Sequence, residues 1–279
     1  MTSGGTNDTK GGRRIGAAFA AARKEGRTAL VPYVVAGYPD LNTSYEAALA
    51  CIGAGADVLE IGLPYSDPLA DGATLQRASS VAIKAGATFD RSIELVRRIA
   101  ESRPRTPLVP MCYANQVIGG GDGRASVKRL ADAGAAGIIV ADLTPDEGAA
   151  FESVARDAGL AVVYLVAPTT PPARRATVAA RSGGFLYCVS LVGVTGARTS
   201  LPADVAKLVR EVRAVSPVPV AVGFGVSKPA HVQALAKAGA DGVIVASALV
   251  DALGVDGRDI TALGALVRSL RQAGATLGA

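Results

Sequence analysis

The chain has 279 residues, 49% of them hydrophobic, with a formal net charge of +5. That is enough for one large core. Its basic residues are dispersed in short pairs such as Arg13-Arg14, Arg97-Arg98 and Arg174-Arg175, with no basic block interleaved with aromatics, which argues against nucleic-acid binding and suits an anionic small substrate. No apolar run approaches the roughly 20 residues of a membrane helix. Cys51, Cys112 and Cys188 lie in apolar segments without paired spacing, which reads as reduced core thiols of a cytoplasmic protein.

From the amino terminus, residues 1–14 are polar and Gly-rich and read as a disordered tail, leaving 15–279 as one domain. Arg13-Arg14 is not an export signal, because the apolar stretch after it stops at Arg23-Lys24-Glu25. A helix is predicted over Ile15–Glu25, then a strand over Ala29–Val35 and a helix over Ser44–Ile52. Gly53-Ala54-Gly55-Ala56-Asp57 next joins a helix end to a second strand, Val58–Ile61. The same junction recurs at Ala133-Gly134-Ala135-Ala136-Gly137 and at Ala238-Gly239-Ala240-Asp241-Gly242. Each time Gly stops a helix by accepting a left-handed cap, and an apolar strand begins at once.

Further strands are predicted at Leu108–Cys112, Ile138–Ala141, Val162–Val166, Phe185–Val189, Val218–Val222 and Val243–Val245. Amphipathic segments separate them, among them Phe89–Ala100, Ser126–Ala133, Ala203–Val215 and Ala230–Ala238. The strands are continuous apolar runs, as expected when both faces are buried. Eight strands alternating with helices, in a chain a little over 250 residues, predict a (β/α)8 TIM barrel. Extra short helices are expected before strand 1, after strand 2 (Thr74–Lys84) and after strand 8, where Ser247 opens one. A doubly wound sheet is the structural rival, but no Gly-x-Gly-x-x-Gly follows the first strand.

Reacting groups in such a barrel sit at the carboxyl ends of the strands. Glu60 ends the second strand, and Asp67 and Asp71 lie in the loop beyond it. A charge in a buried strand is costly unless compensated, and paired carboxylates of this kind serve acid–base chemistry. The plain alternative for Asp71 is an N-cap of the next helix. Asp142, Tyr187 and Ser190 fall at other strand ends. Gly-rich segments, Val192–Arg198, Val222–Ser227 and Val245–Ala248, follow three consecutive late strands, a pattern suited to a phosphate held by backbone N–H groups. The single histidine, His231, has no Cys or carboxylate cluster for a metal. No lysine occupies a strand end for a Schiff base, and no Ser or Cys has a His base. Carboxylate proton chemistry on a phosphate ester, without metal or cofactor, remains.

The run Leu59-Glu60-Ile61-Gly62-Leu63-Pro64-Tyr65-Ser66-Asp67-Pro68-Leu69-Ala70-Asp71-Gly72 resembles the signature of the tryptophan synthase alpha subunit family. Met111-Cys112-Tyr113-Ala114-Asn115, Val140-Ala141-Asp142-Leu143, Gly193-Val194-Thr195-Gly196-Ala197 and Gly223-Phe224-Gly225-Val226-Ser227 extend the likeness over nearly the whole chain. The resemblance implies retro-aldol cleavage of indole-3-glycerol phosphate to indole and D-glyceraldehyde 3-phosphate, with no cofactor. It implies Glu60 as general acid–base and Asp71 as partner of the indole N–H. Tyr33, Met111, Ile139, Tyr187, Thr195 and Phe224 would line the indole site, and Gly196, Gly225, Ala246 and Ser247 would hold the phosphate. Ala246 stands where the family usually has Gly. Pro64 and Asp67 would touch a beta subunit in an alpha2-beta2 assembly. A sister phosphate-binding barrel, a stand-alone lyase, and a barrel kept only as a scaffold are the alternatives, separable by indole release with and without a partner.

Overall fold

A computed structural model describes residues 8–189, 203–223 and 225–275. The elements run in the order α1 (Lys10–Lys24), β1 (Ala29–Val35), α2 (Leu41–Gly53), β2 (Leu59–Gly62), α3 (Ala73–Lys84), α4 (Phe89–Ser102), β3 (Leu108–Cys112), α5 (Ala114–Ile118), α6 (Arg124–Asp132) and β4 (Gly137–Val140). They continue as α7 (Pro145–Asp157), β5 (Ala161–Val163), β6 (Leu165–Val166), α8 (Pro172–Arg181), β7 (Leu186–Val189), α9 (Ala203–Val215), β8 (Val220–Gly223), α10 (Pro229–Lys237), β9 (Gly242–Val245), α11 (Ser247–Ala252) and α12 (Ile260–Gly274).

The strands form one parallel sheet in the order β5-β4-β3-β2-β1-β9-β8-β7-β6. Its two outer segments, β5 and β6, are separated in the chain by Tyr164 alone. They are therefore two halves of one stave, and the sheet closes on itself as a (β/α)8 barrel. At the break, the Tyr164 N–H turns away from the ladder to Ser182 Oγ at 3.1 Å, while its carbonyl still accepts the Tyr187 N–H at 3.0 Å. The uninterrupted strand predicted over Val162–Val166 is thus corrected to two pieces.

Alternation along the staves sends one set of side chains inward. Val31, Val109, Ile139, Val163 and Ile244 belong to an inner cluster, which Ile15 and Phe19 of α1 join. Phe19 stacks on Phe185 with ring centroids 5.6 Å apart. The larger cluster, including Leu59, Ile61, Val96, Leu130, Val209 and Leu270, fills the space between staves and helices. A Trp-free sequence suits this arrangement, because interdigitation in a barrel favours branched and small side chains.

The prediction of a disordered tail through residue 14 is corrected for residues 9–14. Thr9 caps α1, its hydroxyl accepting the Gly12 N–H at 2.9 Å, and α1 begins at Lys10. The glycines that read as disorder let the helix abut the barrel floor. A Cβ on Gly11 would sit 1.7 Å from the Ala136 carbonyl oxygen. A second addition is α5, a five-residue helix after β3, beyond the three extra helices expected. It is too short for hydrophobic periodicity to mark.

The recurrent Gly-Ala-Asp junction has a purpose beyond its turn. Gly55 and Gly239 adopt φ of +104° and +95°, where only Gly is unstrained. The aspartate two residues on then satisfies a neighbouring stave. Asp57 Oδ2 accepts the Leu30 N–H at 2.8 Å, and Asp241 Oδ2 accepts the Val220 N–H at 2.9 Å. Asp57 also pairs with both terminal nitrogens of the buried Arg27, at 2.6 and 2.7 Å. Removing one member of a buried pair strands the other. We expect Asp57→Ala to lower unfolding free energy by about 3 kcal/mol in urea denaturation. A change under about 0.5 kcal/mol would show that Glu25 alone satisfies Arg27.

Candidate active site

β2 reads Leu59-Glu60-Ile61-Gly62 and is buried along its length. Leu59 and Ile61 point to the outer core, so Glu60 points into the barrel. In register it lies beside Tyr33 of β1 and Val109 of β3. Its residue exposure is 0%, and neither carboxyl oxygen has a hydrogen-bond partner among the described residues. Burial, and secondarily the nearby Asp71 charge, push its pKa up to about 8. A carboxyl in this position holds its proton at neutral pH.

Asp71 sits half-buried in the loop between β2 and α3. The N-cap of α3 is Gly72, without a side-chain cap bond, so capping does not occupy the Asp71 carboxylate. Burial raises its pKa to about 6, and a hydrogen bond from Tyr113 pulls the other way. Asp71 is therefore largely ionised at neutral pH while Glu60 is not. The two carboxyls differ chiefly by environment.

Tyrosines surround the pair. Tyr33 is buried beside Glu60, and its phenol is held well above its ordinary pKa by burial and by the charges of Asp71 and Glu60. Tyr187 of β7 stands across the barrel from β2 and responds to both acids in the same way. Two glycines make room for these rings. A Cβ on Gly62 would lie 1.8 Å from Tyr33 Oη, and one on Gly223 would lie 2.6 Å from Tyr187 Cε2. Met111 is half-buried and pairs in register with Ile139, which is fully buried in the inner cluster and so forms the floor.

The rim beyond β8 and β9 carries Gly225, with φ of +50°, and Ala246, which precedes α11 with φ −121° and ψ −82°. Ser247 is exposed at the first position of that helix. Thr195, Gly196 and Phe224, expected at the indole and phosphate sites, and Ser190, noted at a strand end, lie outside the described residues. Pro64 is half-buried and Asp67 exposed in the β2–α3 loop, next to Leu69 at 84% exposure. His231, on α10, accepts the Ser227 N–H at 3.3 Å through Nδ1. No helix among the described residues is long and apolar enough to cross a membrane.

The family described as "Tryptophan synthase alpha chain" matches residues 19–273. This chain belongs to the tryptophan synthase alpha chain family. The tryptophan synthase alpha chain of Gloeobacter violaceus is 44% identical over 266 residues, covering 95% of this chain and 96% of its own length. That of a Roseiflexus species is 45% identical over 240 residues, covering 86% and 91%. Among solved structures, Mycobacterium tuberculosis tryptophan synthase superimposes with a TM-score of 0.86 at 39% identity, covering 94% of this chain and 98% of that one. Tryptophan synthase subunit alpha from Legionella pneumophila gives a TM-score of 0.84 at 32% identity, covering 93% and 97%. Tryptophan synthase alpha chains are lyases, and the buried acid and its ionised neighbour lie within the matched residues 19–273.

One residue beside Asp71 stands in the run Met111–Asn115 without having been singled out as a site residue. Tyr113, just after β3, bonds the Asp71 loop through its hydroxyl, which accepts the Ala70 N–H at 3.1 Å. The signal available was its place, two residues beyond the inward-facing Met111, and therefore on the same side of the stave.

The buried acid makes stability pH-dependent in a defined direction. Glu60 moves from an ordinary 4.5 to about 8 on folding. Between those values the unfolded chain gives up the proton and the folded chain keeps it, so stability is full below about pH 4.5 and is lost as pH rises through 8. The slope from this one group is at most about 1.4 kcal/mol per pH unit. Thermal melts of Glu60→Gln and the wild type should diverge in favour of the variant as pH rises from 5 to 8. Parallel melting curves across that range would contradict burial of an unpaired carboxyl.

Proposed function

We propose that this chain cleaves indole-3-glycerol phosphate to indole and D-glyceraldehyde 3-phosphate in a retro-aldol step. The observation that carries the reading is the placement of the two acids, Glu60 fully buried with no hydrogen-bond partner among the described residues and Asp71 half-buried in the loop that follows, which pushes the first to about 8 and the second only to about 6. The bond to be broken joins indole C3 to the glycerol chain, and the ring leaves only after C3 is protonated. Glu60, protonated near neutral pH, delivers that proton. Positive charge then develops at N1, where the Asp71 carboxylate accepts the N–H hydrogen bond. Glu60, now ionised, takes the proton of the hydroxyl on the carbon attached to C3. The O–H electrons become the aldehyde C=O, the C–C electrons return to the ring, and Glu60 is again protonated.

Tyr33, Met111, Tyr187, Thr195 and Phe224 would line the indole above the Ile139 floor, with Gly196, Gly225, Ala246 and Ser247 around the phosphate. Glycine at Gly225 and the amides opening α11 suit an anion, although the Ala246 methyl takes space that Gly would leave. Phosphate binding far from the reacting bond supplies orientation.

Indole is apolar and would escape into water. A beta subunit that receives it for L-tryptophan synthesis fits the exposed Leu69 beside Pro64 and Asp67, an apolar group on a loop that begins at the catalytic strand. Three buried free cysteines suit work in the cytoplasm.

Indole release from indole-3-glycerol phosphate, with and without a beta subunit, tests the reading. Glu60→Gln should lose at least about 10²-fold in turnover while still binding a substrate analogue, and near-normal turnover would reject its role. Asp71→Asn should also lose turnover severely. The pH profile of kcat/KM should be a bell, rising as Asp71 ionises near 6 and falling as Glu60 loses its proton near 8. A flat profile from pH 5 to 9 would contradict the assignment.

A further inference from the structure

The amino ends of β1, β8 and β9 lie on the far side of the barrel from the Asp71 loop. They border a cavity of about 600 Å³ that no step of the proposed reaction uses. That volume is within the range of small-molecule sites. α1 forms one wall through Gly16, Ala20 and Arg23, which helical spacing puts on one stripe. The turn before β8, with Pro217 and Pro219, forms a second wall, and the α10–β9 junction, with Ala240 and Asp241, a third. These walls are fixed. The Ser216 hydroxyl donates to the Val218 carbonyl at 2.7 Å, and Asp241 accepts the Val220 N–H at 2.9 Å while pairing with Arg213 Nε at 2.8 Å.

Gly16 is the residue that packing does not account for. Glycine inside a helix is destabilising relative to alanine. Gly11, on the same helix, has a steric reason, because a Cβ there would strike the Ala136 carbonyl. At Gly16 a Cβ would meet nothing within 4 Å. A longer side chain at that position would grow into the cavity, and glycine keeps the space open.

The charges on the walls select a sign. Three arginines and one aspartate line the cavity. Arg27 is committed to Asp57 and Glu25, and Arg213 to Asp241. The Arg23 guanidinium makes no hydrogen bond or ion pair among the described residues. Its place in the last turn of α1 suits the helix dipole, as does that of Lys24, but only Arg23 lines the cavity. Thr28, also in the lining, is 4% exposed, and its Oγ1 has no hydrogen-bond partner among the described residues. We propose that this cavity binds a small organic anion with a flat apolar body, an aromatic carboxylate. The carboxylate pairs with Arg23, whose planar fork takes two oxygens side by side, and the ring lies against Ala20, Pro217 and Pro219. A bound anion ties α1 to the junctions before β8 and β9 and stabilises the fold by mass action. The site is separate from the rim that carries Gly225 and Ala246, which lies beyond the other ends of β8 and β9.

Benzoate titrated into the nitrogen-15-labelled full chain tests the proposal. The amide resonances of Gly16, Ala20 and Ala240 should shift and saturate, with a dissociation constant of about 10 mM or below, and Tm should rise with benzoate. Benzamide, which has the same shape without the charge, should bind at least about tenfold more weakly. Arg23→Gln should weaken benzoate binding about tenfold and leave benzamide unaffected. Gly16→Leu fills the space with a better helix former, so it should abolish the shifts and melt no lower than the wild type without benzoate. Arg23 is exposed, so its variant folds and decides the question whatever the fate of Gly16→Leu. Shifts that never saturate, shifts confined to the barrel mouth at Gly62 and Gly223, or wild-type affinity in Arg23→Gln overturn the site.

Discussion

The site depends on one unpaid desolvation: a carboxyl placed in a fully buried strand with no hydrogen-bond partner among the described residues. Glu60 sits between residues that pack the outer core, and its inward position is dictated by the two-residue period of the strand. Such a group is tolerable only in its neutral form, and a neutral carboxylic acid at physiological pH is a proton donor. Burial, with a smaller push from the Asp71 charge, therefore keeps this acid neutral. Everything else nearby is consistent with keeping it so. The neighbouring phenols are neutral, and the charge on Asp71 is negative and adds to the effect.

Asp71 needs the opposite treatment, and its position in a loop supplies it. A loop at the barrel mouth is partly solvated, so burial raises its pKa less, and Tyr113 offers a hydrogen bond to the charged form. Two identical functional groups eleven residues apart in sequence thus acquire different protonation states from strand and loop environments. The scaffold beneath them is stiff. Asp57 and Asp241 close the amino ends of neighbouring staves, and α1 seals the floor with Ile15 and Phe19. Rigid elements hold reacting groups more closely than loops can, which makes the tie from the Tyr113 hydroxyl to the Asp71 loop a sensible addition.

Much of this was legible in the residues. The Gly-stopped helices and apolar runs located the staves, because capping and continuous burial both leave local traces, and the odd carboxylate in an apolar strand pointed to the proposed site. Besides the short α5, three features were not legible, each for a physical reason. The start of α1 was hidden because Gly11 and Gly12 read as disorder until the barrel floor that Gly11 presses against is known. The break at Tyr164 depends on Ser182, a residue from another element, capturing its amide. Tyr113 is bound to a residue 43 positions earlier, and no periodicity reports where a tyrosine hydroxyl will find its partner.

The central claim is that Glu60 is a neutral acid in the resting protein. A carbon-13 NMR titration of the glutamate carboxyl carbons tests it most directly, with Glu60 assigned by the resonance missing from Glu60→Gln. The account predicts a resonance still protonated at neutral pH, with a midpoint near 8. A midpoint at the ordinary value of 4.5 would contradict it.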